Sequence, residues 1–482
     1  MTARETDWML RNYHSDPPQL CLHNGTTCNQ GRVPLYAVNA SSAADIQAGV
    51  RFAAQHDLRV SVKSSGHDYL GRSTAADSLL LWTRYLQGIS FTDHFVVNGR
   101  DLGSAVTVGS GVSMHTIYQL AAEHDKVVVG GRSATVAAGG GYGQGGGHSP
   151  FSPFLGLAAD NALQYEVVLA SGDVVMANEA SHPDLFWALR GGGAGTWGVI
   201  LSFTMRTFPS FPATLHTSTL LLNSSTQIAA VMTAYARHIF DLDASRASQT
   251  VILVPEGPGV FFLQLETFFP NATSADSAAT EPFLDDALAL GANVTGKTTQ
   301  TEAKANDLVF MVDDPTIIYI ETSRLVPAAA YRDTPEAIGT AHKTLLDLGF
   351  PIIAEVIVGG GKIAENAVID NAVNPKWRTM KTHSGRPGPT RSPPATIQAL
   401  RHNLTTQATP LLTSITGEAD PGAYSNEADV REVDPAVTFF GGGAHYARLS
   451  AIKRKYDPRD LFIVRTGVGS ERWDVEGMCT LV

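Results

Sequence analysis

The chain has 482 residues, 44% hydrophobic and 17% charged, an ordinary globular composition that excludes a disordered, collagen-like or disulfide-scaffold protein. Lysine and arginine total 35 against 46 aspartates and glutamates, so the formal net charge of −11 repels phosphate backbones and argues against a nucleic-acid partner. No stretch offers about 18 consecutive apolar residues, so no membrane span is expected.

In chain order, residues 1–30 form a polar segment in which Cys21 and Cys28 could close a short loop as a disulfide. Met1-Thr-Ala-Arg-Glu-Thr-Asp lacks the apolar core of a signal peptide. Yet Asn-x-Ser/Thr sequons occur at Asn24, Asn39, Asn223, Asn271, Asn293 and Asn403, where about two would arise by chance. That excess predicts a secreted, extracellular, N-glycosylated protein whose leader lies outside this numbering. Cys479 is left over near the C-terminus.

From 31 to 209, short β-branched runs alternate with helical patterns. Ser41 or Ser42 caps a helix carrying Ile46, Val50, Phe52 and Ala53 on one face. Residues 59–63, 105–108 and 126–129 read as strands and 114–123 as a helix. Residues 165–169 and 173–176 make a hairpin around Ser171-Gly172. Ser181-His-Pro-Asp opens a helix with Pro183 and Asp184 in its first turn. From 210 to 418, alternating strands at 250–254, 260–266, 316–320 and 352–358 are separated by helical stretches near 227–240, 281–290, 334–348 and 395–403. This predicts an antiparallel β-sheet covered by helices, forming a second domain. A strand over 377–383 would put Trp377, Thr379, Lys381 and His383 on one face. The last part, 419–482, holds a basic helix over 446–456, stopped by Asp457-Pro458. The fold class is α+β.

Glycine crowds into 130–147 and 191–198. Gly141-Tyr-Gly143-Gln-Gly-Gly146 and Gly193-Ala-Gly195-Thr-Trp-Gly198 both satisfy GxGxxG. Neither lies between a strand and a helix, as a nicotinamide site requires, because His148-Ser-Pro-Phe-Ser-Pro follows the first and a helix precedes the second. No P-loop, GxSxG elbow or HExxH is present, so neither a hydrolase nor a metal site is predicted. Together with Ser64-Ser-Gly-His-Asp-Tyr-Leu-Gly-Arg-Ser73, the clusters supply three loops whose backbone N–H groups can closely approach a bulky phosphate-bearing cofactor.

These residues resemble the vanillyl-alcohol-oxidase/PCMH superfamily of FAD-linked oxidoreductases, and within it the fungal berberine-bridge-enzyme-like group. The loop from Lys63 to Ser73 matches the family's pyrophosphate loop, and 133–147 its second loop. Gly156-Leu-Ala-Ala-Asp-Asn161, Asp184-Leu-Phe-Trp-Ala-Leu-Arg-Gly-Gly-Gly193, Tyr424-Ser-Asn-Glu-Ala-Asp429 and Lys455-Tyr-Asp-Pro-Arg-Asp-Leu-Phe462 follow in the family's order. The resemblance implies a PCMH-type FAD-binding domain of two α/β subdomains over 31–209, a substrate-binding domain over 210–418, and a C-terminal segment that returns to the flavin domain. It implies FAD held by Ser64, Ser65, Gly66, Asp68, Gly71, Arg72, Ser73, Ser133, Thr135, Gly139, Gly140, Gly146, Gly147, His148, Ala159, Asp160, Val199 and Asn426, with His67 bonded to the flavin C8α methyl. Arg72 offers a fork suited to a pyrophosphate, whereas Asp160 also reads as a structural turn acid. Relatives carry a cysteine bonded to flavin C6 where this chain has Ser133, so a single covalent link is expected. Tyr142 replaces a histidine that contacts the ribityl chain, and either takes that role or packs. Gly143 stands where relatives control oxygen access, which favours an oxidase.

Catalysis in this group is hydride transfer to the flavin with a base taking a proton from O–H or N–H. The resemblance points to Glu427 as that base, assisted by Tyr424, and the predicted face of the 377–383 strand adds Lys381 and His383 as further candidates. The expected function is a secreted FAD oxidase that uses O2, releases H2O2 and acts on a small alcohol, carbohydrate or secondary metabolite. An oxidative cyclase of secondary metabolism, or a glycosylated flavin-containing binding protein, are the alternatives.

Overall fold

A capped helix and three parallel strands open the described part of the computed structural model, which covers residues 31–309, 318–350, 353–385, 388–390 and 394–481. The expected Cys21–Cys28 pair and the Asn24 sequon lie outside the described residues. Strands β1 (Tyr36–Asn39), β2 (Val60–Lys63) and β3 (Leu79–Trp82) pair in parallel in the order β1–β3–β2. Helix α1 (Ala43–Gln55) joins β1 to β2 and starts at Ser42, whose hydroxyl and the Asp45 carboxylate form a reciprocal capping box. Ile46, Gly49, Val50 and Ala53 are buried, but Phe52 is 51% exposed and leaves the predicted apolar face. Two residues beyond Val50 is about 200° round the helix, the solvent side.

A six-stranded antiparallel sheet follows, built from β4 (Ile89–Thr92), β5 (Ala105–Gly109), β6 (Lys126–Val128), β7 (Ala162–Val168), β8 (Val174–Ala177) and β9 (Val199–Pro209). Its order is β8–β7–β9–β5–β4, with β6 against the end of β9. The predicted hairpin is β7–β8, paired Val168 to Val174. The helix Pro183–Leu189 has Pro183 in its first turn, as expected, and buries Leu185, Phe186, Trp187, Ala188 and Leu189.

The third sheet has seven antiparallel strands: β10 (Ala213–Leu222), β11 (Ser248–Gly257), β12 (Val260–Pro270), β13 (Asn293–Glu302), β14 (Ser323–Pro327), β15 (Ile353–Ile357) and β16 (Met380–Gly385). Their order is β13–β10–β12–β11–β15–β16–β14. Helices Ser225–His238 and Pro335–Asp347 cover one face, packing Ile228, Val231, Met232, Ile338 and Leu345 against Leu220, Val251, Leu263 and Leu265. Two expectations fail here. The described part of the 316–320 run, Ile318–Ile320, pairs with Gly388–Thr390 in a separate ribbon rather than in this sheet. The strand predicted over 377–383 is a 3₁₀ turn over Pro375–Arg378 followed by β16, because Pro375 sits at the turn's start and Asn374 caps it through the Lys376 amide.

On the helix-covered side, Glu355 is buried between Tyr331, Ser384 and His342, whose Nε2 lies 3.2 Å from the carboxylate. Burial alone would raise the Glu355 carboxyl pKa, but His342 and the hydroxyl donors outweigh it and hold the group below its ordinary value. A native pKa below the unfolded value of about 4.3 means stabilisation that is complete above that pH and is lost as pH falls through the native pKa. The melting temperature of Glu355→Gln should therefore lie below wild type at pH 7 and fall less steeply below about pH 4.3; parallel curves would contradict this.

Among the described residues, no helix is long and apolar enough to cross a membrane.

Candidate active site

Three loops and the uncovered face of the seven-stranded sheet enclose a cavity of about 560 Å³. The first loop leaves β2 and contributes Ser64, Ser65, Gly66, His67, Asp68, Arg72 and Ser73 to the wall. His67 Nε2 is 2.6 Å from Thr135 Oγ1, which fixes the ring against the second loop. Arg72 does not present a free fork. Its Nε and Nη2 donate to Asp68 Oδ1, and Nη2 also donates to Ser425 O and Asn426 Oδ1. Its charge is thus balanced within the protein by the Asp68 carboxylate.

The second loop lines the cavity with Ser133, Gly139, Gly140, Gly141, Tyr142 and His148. Tyr142 packs: its hydroxyl donates to the carbonyls of Val129 and His148 and supports the backbone beneath the His148 ring. Arg132 donates to Glu266 at 2.7 Å and lies over the Phe268 ring, tying this loop to β12. The third loop brings Ala194, Gly195 and Gly198. From the sheet come Ser248 and Thr250 of β11 and Val356 of β15, neighbours in register.

The segment after the last covering helices returns to close the site. Asn426 Nδ2 donates to Gly141 O and to the Tyr424 hydroxyl. Gly145 faces this amide so closely that an added Cβ would stand 2.4 Å from Asn426 Nδ2, so glycine there is a packing requirement. Tyr424 and Glu427 both line the cavity.

Several sequence-predicted cofactor residues fall outside the wall. Gly71 accepts a hydrogen bond from Arg32 behind the first loop, and Thr135 serves His67 rather than the cavity. Gly143 does not line the cavity, and a Cβ added there would meet the Tyr165 hydroxyl and the Phe203 ring at 3.2–3.3 Å. Gly146 and Gly147 accept from the amides of Ala159 and Ala158 and hold the loop's return. Ala159 and Val199 are wholly buried packing residues. Asp160 is the structural acid: it accepts from both Nη atoms of Arg378 at 3.0 and 2.8 Å, from Asn366 and Asn371, and from the Leu157 amide.

Of the catalytic candidates, Lys381 is elsewhere. It pairs with Asp243 and lies over the Phe240 ring, away from the cavity. Glu427, His383 and His148 converge instead. His148 Nε2 lies 3.2 and 3.3 Å from the two Glu427 oxygens, and His383 Nε2 lies 2.9 Å from Oε2. Tyr424 meets His148 edge-on at 5.4 Å, and Trp377, although not on the strand, packs against Tyr424 and both imidazoles. Burial alone would push the Glu427 carboxyl up, but the two imidazoles outweigh it and hold it well below the usual carboxylate range. Burial pushes the Tyr424 phenol up, so it stays protonated. The three donor atoms lie within 4.8 Å, a separation a cation could also bridge. A metal-held imidazole needs an acceptor for its second N–H, and the buried Nδ1 of His383 has no partner, so the group reads as a hydrogen-bonded cluster. Sequence reasoning placed His148 on the cofactor and missed this convergence, because 279 residues separate His148 from Glu427 and no local pattern links them.

Comparison with known proteins gives this geometry a context. Residues 34–178 match the FAD binding domain family model and residues 423–469 the berberine and berberine like model. An FAD-linked oxidoreductase of Arthroderma benhamiae is 36% identical over 476 residues, covering 94% of this chain and 80% of that protein. The chain belongs to the vanillyl-alcohol-oxidase/berberine-bridge-like family of FAD-linked oxidoreductases. The FAD-linked oxidoreductase easE of Claviceps purpurea is 37% identical, covering 94% of this chain and 95% of that one. The VAO-type flavoprotein MtVAO713 from Myceliophthora thermophila C1 superposes with a TM-score of 0.85 at 26% identity, covering 94% and 83%. The family's cofactor fits the cavity described above: its wall joins three glycine-bearing loops, rich in backbone N–H groups, with the imidazole of His67 and with residues of the sheet.

Proposed function

We propose that this FAD-linked oxidoreductase is a secreted oxidase that carries its cofactor on a single bond to His67 and removes hydride from a C–H of a small alcohol, carbohydrate or secondary metabolite. The observation that carries the reading is the His67 ring in the cavity wall, steadied through Nε2 by Thr135. Ser133 supplies no second attachment atom in the same wall. When bound, FAD accepts a hydride from substrate and passes two electrons to O2 to give H2O2. The chain's part is to orient the substrate between the cradle and Ser248, Thr250 and Val356, and to take the proton of its O–H or N–H within the His148–Glu427–His383 cluster. Secretion with N-glycans is supported by the exposed sequon asparagines Asn39, Asn223, Asn271 and Asn293; Asn403 is only half-exposed.

Purified protein should absorb near about 450 nm as oxidised flavin does. A panel of alcohols, sugars and aromatic metabolites should bleach it without oxygen and yield peroxide in air. Colourless protein overturns the reading; bleaching without peroxide makes it a dehydrogenase.

A further inference from the structure

We propose that His148 is the catalytic residue that takes the substrate proton, through Nδ1, and that Glu427 and His383 are the residues that position it. The inference rests on the hydride-transfer reading above and names the proton acceptor within it.

Four groups meet around Glu427 at the end of the cavity wall, the carboxylate itself, Tyr424, His383 and His148, and three are disqualified as the proton acceptor by their surroundings. Both Glu427 oxygens already accept from imidazole nitrogens, at 2.9–3.3 Å. A carboxylate so engaged is a weak base, since protonating it discards charge-assisted hydrogen bonds. Tyr424 keeps its own proton. His383 has a side chain only 2% exposed, and its spare nitrogen Nδ1 is sealed away. His148 differs on both counts. Its side chain is 18% exposed and lines the cavity, and its contacts to Glu427 run through Nε2. With Glu427 ionised, Nε2 must carry the proton in both imidazoles. The neutral imidazole of His148 therefore carries its lone pair on Nδ1, the nitrogen that does not touch the carboxylate.

That is the arrangement in which a carboxylate fixes the tautomer of a histidine base and steadies the imidazolium that forms. In an alcohol substrate the C–H bond breaks with its electron pair moving to the flavin, the O–H bond breaks with its pair becoming the second C–O bond, and the proton bonds to His148 Nδ1. The substrate is oxidised to a carbonyl, the flavin is reduced, and the imidazolium is paired with Glu427. His383 acts through Glu427 by holding its Oε2, so that Oε1 stays turned to His148.

Two measurements on the holoenzyme test this. In anaerobic stopped flow with a bleaching substrate, His148→Ala should reduce flavin about 100- to 10,000-fold more slowly than wild type, with an unchanged resting spectrum. Added imidazole should restore part of the rate. Glu427→Gln, which keeps an acceptor for the His148 N–H, should lose less than His148→Ala. A wild-type rate in His148→Ala, or a larger loss in Glu427→Gln, overturns the proposal. Independently of turnover, diethylpyrocarbonate should carbethoxylate His148 and spare His383, read by peptide mass mapping; modification of His383 with His148 untouched also overturns it. Failure of the underlying reading shows differently, as a wild-type protein without flavin absorbance.

Discussion

A His67→Ala variant is expected to surrender its flavin entirely to the supernatant when precipitated with acid, whereas the wild-type pellet stays yellow. The substitution removes the imidazole proposed as the tether, yet leaves the cradle, because the Arg72–Asp68–Asn426 contacts that shape the first loop do not involve His67. The variant should therefore still bind FAD reversibly and be colourable by added cofactor. Thr135→Ala is the graded companion: it releases the imidazole from its 2.6 Å contact and should yield a mixed population, part tethered and part extractable. Colour retained in the His67→Ala pellet would assign the bond to another residue.

The second large effect concerns stability. Asp160 has a side chain 1% exposed and Arg378 one 11% exposed, and they form a two-pronged pair that joins the flavin domain's 156–161 segment to the 3₁₀ turn before β16. Removing one partner strands the other charge in a buried setting, a loss of about 3–5 kcal/mol. Asp160→Leu should accordingly lower the unfolding midpoint sharply. The double variant Asp160→Leu/Arg378→Met should recover much of that loss, because neither charge remains to be desolvated. Equal destabilisation by the single and double variants would mean that Asn366 and Asn371, not the arginine, account for the acid's contribution.

What the sequence disclosed was what is written locally. The three glycine loops, the Ser42 cap, the β7–β8 hairpin and the helices over the large sheet each depend on a few adjacent residues, and each was legible. The polar strand β13 was not, since it is an edge strand exposed along most of its length and carries no apolar alternation. Gly143 was set beside the flavin by its place in the family's second loop, and Arg72 by a fork suited to a pyrophosphate. Their partners within the protein, the Tyr165 and Phe203 rings and the Asp68 carboxylate, depend on which way each residue turns within its loop. Trp377 was placed beside His383 by strand period; the period was wrong and the neighbourhood right, because a turn delivers its indole to the same aromatic box. The His148–Glu427–His383 cluster was unreadable as a unit, since each member comes from a different element and only the tertiary fold introduces them.

The closure of the cradle by residues 424–427 has a consequence for biogenesis. On the ribosome, His148 emerges 279 residues before Glu427, an interval of roughly 15–55 s at ordinary elongation rates. Throughout it the nascent flavin loops stand roofless, with Arg72 lacking its Asn426 acceptor and Gly141 its amide donor. The proposed tether would thus form only at the end of translation, and a message truncated before codon 424 should produce chains that never turn yellow.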